Sequence, residues 1–148
     1  MFSNIVVGFD GSEASERALR TACKIAAKFG GKIHVSHTPR HETVAFAMGA
    51  VAGYHTVTSM PQLEEVNKAA EKMFTKARSI ASDHADTPFK THQGNGTAGE
   101  DILAVAEEVG ADLIVTGRRG LGNLGALVLG STSYHVAHHA KCAHLSVV

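Results

Sequence analysis

Residues Asp112 to Ser133 read D-L-I-V-T-G-R-R-G-L-G-N-L-G-A-L-V-L-G-S-T-S. Leu113, Ile114 and Val115 form a short apolar run, the pattern of a strand buried on both faces. The chain then passes through Gly117-Arg118-Arg119-Gly120 and reaches Gly130-Ser131, where a helix is expected to begin. Glycine lets a backbone approach a ligand closely, so that several N–H groups can converge on one anion. Ser131 and its neighbours would lie at a helix N-terminus, where open N–H groups and the helix dipole favour phosphate. The stretch is read as a phosphate cradle between a strand and a helix.

Charge supports that reading. After Asp112 the chain has no Asp or Glu, yet it carries Arg118, Arg119 and Lys141. Lys plus Arg and Asp plus Glu each total 14, so the basic character is local. A local positive field suits a small anionic ligand, whereas nucleic acid calls for a broad basic face. Aromatic residues make up only 5%, too few for a base-stacking surface.

Working outward, strands and helices alternate along all 148 residues. Asn4 to Phe9 is an apolar run that ends in Asp10-Gly11-Ser12, a strand, a turn and a helix cap. Ala18, Leu19, Ala22, Ile25, Ala26 and Phe29 then recur at helical spacing, and Gly30-Gly31 stops the helix. Lys32 to Thr38 reads as a second strand. The 39–60 segment has no sustained period and is read either as a lid or as a subunit contact. Gln62 to about His84 carries the helical stripe Leu63, Val66, Ala70, Met73, Phe74, Ala77, Ile80 and Ala81.

Pro88 to Gln93 is a weak third strand, placed at the sheet edge because of its proline. Thr97-Ala98-Gly99-Glu100 reads as a capping box opening a helix that ends at Gly110. A helix over about Ser131–Ala140 and a strand over Ala143–Val148 complete the chain. Five strands and four helices in alternation predict one α/β domain over 1–148: a doubly wound parallel sheet with helices on both faces. Asp10 then lies at the carboxyl end of the first strand, the edge where such sheets bind ligands.

The N-terminus lacks a signal-peptide pattern, and no apolar run reaches the roughly 18 residues that span a bilayer. Cys23 and Cys142 have no metal spacing and are read as reduced buried thiols. The expected compartment is the cytoplasm, with neither membrane insertion nor nucleic acid as partner.

Competing motifs are present in part. Gly120-Leu121-Gly122-Asn123-Leu124-Gly125 spells the dinucleotide fingerprint, but it follows a late strand and no acidic residue lies beyond it. No glycine is followed by Lys-Ser or Lys-Thr at Walker spacing. A phosphoreceiver would need an acidic cluster, whereas the end of the first strand offers Asp10 as its one acid. His34, His37 and His41 lie on or after the second strand, and His135, His138 and His139 share one helix face. Such triplets could hold zinc or nickel or respond to pH, but exposed histidines are the simpler reading.

The pattern Gly117-x2-Gly120-x9-Gly130-Ser131, together with Val7-Gly8-Phe9-Asp10-Gly11-Ser12, resembles the universal stress protein family along the whole chain. The resemblance implies sheet order 3-2-1-4-5 and a nucleotide crevice lined by Gly8, Phe9 and Asp10 of the first strand, Thr38 of the second, and Thr116 and Gly117 of the fourth. Asp10 would meet the ribose, and the backbone near Thr38 the adenine edge. Gly117, Gly120, Gly130, Ser131, Thr132 and Ser133 would hold the phosphates of ATP, with Mg2+, beside Arg119.

The family also implies a homodimer through the last strand and a regulatory protein partner. The alternatives are a slow ATPase, an enzyme that phosphorylates its own Ser131 or Ser133, and a nucleotide-free dimeric adaptor. Two positions depart from the family pattern: Ala143 stands where proline is common, and His144 where an apolar residue is usual.

Overall fold

The computed structural model describes residues 1–39, 63–119 and 129–148. The 39–60 segment beyond Pro39, Gln62, His41, Gly120 and the rest of the glycine loop as far as Val128 fall outside them. Among the described residues ten elements follow one another: β1 (Asn4–Gly8), α1 (Glu13–Phe29), β2 (Lys32–His37), α2 (Leu63–Ala81), a 3-10 turn (Ser82–His84), β3 (Phe89–Gln93), α3 (Ala98–Glu108), β4 (Leu113–Gly117), α4 (Ser131–His139) and β5 (Ala143–Val147).

The strands form one parallel sheet in the order β3-β2-β1-β4-β5. The central strands alternate faces with a period of two. Ile5, Val7, Ile33, Val35, Leu113 and Val115 join Leu19, Ala22, Phe74 and Ala77 in one core under α1 and α2. Val6 and Ile114 turn the other way and pack with Ile102, Val105 and Val136 of α3 and α4. Ile5–Val7 of β1 and Leu113–Val115 of β4 are continuous apolar runs because helices cover both of their faces.

Capping fixes where α1 begins and ends. Ser12 accepts a hydrogen bond from the Ser15 N–H, and Gly30, at φ 70, donates its own N–H to the Ala26 carbonyl. Phe29, placed on the buried stripe by its spacing, is 49% exposed. It sits on the last turn, where the helix overruns the sheet, and its ring meets Phe2 edge-on. Leu63 is likewise exposed at the first described turn of α2. That helix stops at Ala81, short of the expected His84.

The third strand lies at the edge as its proline predicts. It starts at Phe89, with the Pro88 carbonyl accepting from Ile33 N–H. The expected capping box does not form at Thr97. Its hydroxyl donates to the Glu100 carboxylate and makes no bond to the helix backbone.

Both cysteines are free thiols. Cys23 lies on the buried face of α1, and burial pushes its pKa up to about 11 against a weaker opposing pull from Arg20. Cys142, expected to be buried, is only half-buried because it precedes an edge strand. Thiolate is the reacting species. A disulfide-exchange reagent at neutral pH should therefore titrate Cys142 in the native protein and Cys23 only after denaturant is added. Two equally fast thiols would contradict this packing.

Candidate phosphate-binding crevice

Connections leave β1 toward β2 on one side, while β4 lies on the other. The sheet order therefore reverses between β1 and β4 and opens a crevice at their carboxyl ends. The pairing Val7↔Val115 sets the end of β1 beside the end of β4. Gly8, Phe9 and Asp10 are thereby brought alongside Thr116 and Gly117. Phe9 is buried, and its N–H extends the ladder by bonding to Ser36 carbonyl at 2.9 Å.

Asp10 shapes the turn into α1. Its Oδ1 accepts from the Ser12 N–H at 3.0 Å and from the Ser12 hydroxyl at 2.6 Å. This local bonding lets the chain reverse through Gly11, which has φ +80. Lys76 of α2 clamps the same turn, donating to Gly11 carbonyl at 3.0 Å and pairing with Glu16 at 2.6 Å.

Gly117 has no room for a side chain. A Cβ there would lie 2.7 Å from the Ala14 carbonyl carbon and 2.9 Å from its oxygen, so β4 and the start of α1 touch backbone to backbone. Beyond it, Arg118 N–H bonds to Val147 carbonyl and Gly130 N–H to Arg118 carbonyl at 2.8 Å. The second bond joins the two ends of the glycine-rich loop. It also uses up the Gly130 amide, so what Gly130 offers a ligand is its missing side chain.

α4 begins at Ser131, with Gly130 in the capping position and no side chain capping it. Tyr134 N–H is the first to reach back, to the Gly130 carbonyl at 2.8 Å. By helix geometry the amides of Ser131, Thr132 and Ser133 precede that bond and have no carbonyl a turn behind them. Ser131 is exposed and Thr132 is half-buried.

The Ser133 side chain does not face the mouth of the crevice. It is 1% exposed, and its hydroxyl accepts from Thr116 Oγ1 at 3.0 Å and donates to Ser146 Oγ at 3.2 Å. A hydroxyl so enclosed cannot attack a phosphoryl group. Of the two serines expected as phosphate acceptors, Ser133 is enclosed and Ser131 reaches solvent. Thr116 is buried too, its hydroxyl also meeting His144 Nε2 at 2.8 Å. Arg118 is half-buried and Arg119 is exposed.

On the far side of β1, Thr38 directly follows β2, and its hydroxyl donates to Asp101 Oδ2 at 2.7 Å. The same oxygen accepts from Gly96 N–H at 3.1 Å, tying the loop before α3 to the end of β2. His37 is buried against Phe74, and its Nδ1–H donates to Phe9 carbonyl at 2.8 Å. Burial lowers its pKa, with the Phe9 bond and Asp10 pulling the other way. Periodicity does not single out Asp101 or His37, because each acts on a neighbour distant in sequence.

Among the described residues the histidines of the two triplets do not converge, and His41 lies outside them. His34 and His37 point to opposite faces of β2, and His34 Nδ1 meets His92 Nε2 at 3.1 Å. On α4, His135 stacks on His139 while His138 packs against Tyr134. Among the described residues no group of three or more His, Cys, Asp or Glu side chains could hold a metal ion.

Residues 1–147 match the model of the universal stress protein family. The chain belongs to that family. A universal stress protein of Thermus aquaticus is 34% identical over 148 residues, spanning 99% of both chains. The universal stress protein YxiE of Bacillus subtilis is 30% identical over the same length and coverage. Among solved structures, a universal stress protein from Archaeoglobus fulgidus is 26% identical, with a TM-score of 0.72 and full coverage of both chains. A universal stress protein in complex with cAMP is 26% identical, with a TM-score of 0.71, covering 99% of this chain and 97% of that one. The universal stress protein sheet order is the one observed here. Among the described residues no helix is long and apolar enough to cross a membrane.

Proposed function

We propose that this chain is an adenine-nucleotide-binding regulator of a stress response, holding ATP with Mg2+ in the crevice between β1 and β4. The observation that carries the reading is the meeting of three backbone features. These are the Asp10 turn, the side-chain-free Gly117 and the open first turn of α4, the last two in the stretch after Asp112 that has bases and no acids. The cAMP complex of a similar protein supports the adenine class of ligand.

In this reading Asp10 holds the ribose and the backbone at Thr38 meets the adenine. Gly117, Gly120, Gly130 and the amides of Ser131, Thr132 and Ser133 receive the phosphates beside Arg119. Thr116 and Ser133 contribute backbone, because their hydroxyls are engaged with each other. The protein works in the cytoplasm as a homodimer that joins through β5, an edge strand with Leu145 and Val148 exposed. Its nucleotide state is read by a regulatory protein. Sedimentation of the purified chain tests the dimer.

The deciding experiment is to denature purified protein and assay it for released adenine nucleotide, then titrate the refolded chain with Mg-ATP. Gly130→Val should fold normally, since Gly130 has φ −58 and ψ 149, an extended conformation that valine adopts. It should bind no measurable nucleotide, because the side chain would fill the approach to the amides. A Gly130→Val protein with wild-type affinity would place the phosphates elsewhere.

A further inference from the structure

We infer that His144 is a positioning residue for the phosphate site: through Thr116 it sets the direction of a hydroxyl chain that pins the first turn of α4 to the end of β4. The inference rests on the nucleotide-binding reading above.

Thr116 Oγ1 has two partners, Ser133 Oγ at 3.0 Å and His144 Nε2 at 2.8 Å. A hydroxyl has one proton to give. Thr116 either gives it to Ser133 and accepts from His144, or gives it to His144 and accepts from Ser133, so the His144 tautomer and the sense of the chain are a single choice. In the inferred sense the proton is on His144 Nε2, which makes the imidazole the donor that starts the chain. Ser133, having accepted from Thr116, donates onward to Ser146 Oγ at 3.2 Å. The chain runs one way, His144 to Thr116 to Ser133 to Ser146, with the imidazole at its head.

The two hydroxyls in the middle sit on the two walls of the crevice. Thr116 immediately precedes Gly117, and Ser133 is the third residue of α4 and bears one of its open amides. Both are buried, where a lost partner is costly. An apolar side chain at position 144 would leave Thr116 without its donor, and nothing would hold the chain to one direction. Burial lowers the His144 pKa, so the ring is neutral at physiological pH and its tautomer matters.

The test uses the full chain and two variants, His144→Leu and His144→Gln. Glutamine places an N–H donor the same number of bonds from Cβ as histidine Nε2. Mg-ATP affinity by calorimetry should fall about 3- to 10-fold in His144→Leu, the loss of one net hydrogen bond. It should stay within about 2-fold of wild type in His144→Gln. Nitrogen-15 spectra of the wild type should show the Nε2–H tautomer. Amide exchange at Tyr134, which closes the first turn of α4, should quicken in His144→Leu and not in His144→Gln.

Equal affinity in all three proteins, a glutamine variant as weak as the leucine one, or an Nδ1–H tautomer would each overturn the inference. If the wild type binds no nucleotide, the proposed function fails. The tautomer and the exchange rates then still decide whether His144 positions α4.

Discussion

Replacing Gly117 with alanine should lower the unfolding free energy by about 2–3 kcal/mol, the upper part of the range for forcing an extra methyl into a packed region. The added Cβ would stand 2.7 to 2.9 Å from three atoms of Ala14: its carbonyl carbon, its Cβ and its oxygen. None of these can swing aside. Two belong to the backbone at the start of α1, and β4 is held on one flank by β1 and on the other by β5. Gly8 makes a useful contrast. A Cβ there meets Ile102 Cδ1 at 2.6 Å, the tip of a side chain that can rotate away, so Gly8→Ala should cost less. Urea unfolding measures both, with the slope against denaturant expected to stay constant. If Gly117→Ala lost under about 0.5 kcal/mol, the level of a neutral surface change, the close approach of β4 to α1 would be wrong, and with it one wall of the crevice.

Asp10→Ala should weaken Mg-ATP binding by about 1–3 kcal/mol, or about 5- to 150-fold in dissociation constant, through loss of a charge-assisted hydrogen bond. The substitution also removes the acceptor for Ser12, whose own hydroxyl caps α1, so some of its effect would be structural. Asp10→Asn separates the two roles. Asparagine keeps an Oδ1 that accepts from Ser12, so the turn and the melting temperature should be retained while the charge is lost. Calorimetric titration of both variants is the check. If each bound as tightly as wild type, Asp10 would serve the turn alone.

The sheet was legible because its signal is local. Leu113-Ile114-Val115 could be read as a two-faced strand without knowing its neighbours, and Pro88 alone placed β3 at an edge. Gly30 and Ser12 announced the ends of α1 by the same short-range chemistry. What escaped depends on partners far along the chain. Asp101 is by position one more acid in the first turn of α3, yet its carboxylate is held by Thr38, sixty-three residues earlier. Ser133 looked like a cap or a phosphate ligand because hydroxyls at helix starts commonly are. Helical geometry turns position 133 toward the sheet, where Thr116 and Ser146 meet it. Phe29 kept the period of its helix but ran out of sheet to cover it.

The apolar cluster on the α1 and α2 side of the sheet is much the larger of the two among the described residues. Among the described residues most of the apolar packing therefore lies on the side away from α4. Substitutions beneath α3 and α4 perturb the smaller share of the packing, so this layer can change chemically while the scaffold survives. Lineages descended from one such sheet would be free to diverge there in what they bind, and would be held nearly fixed on the opposite side.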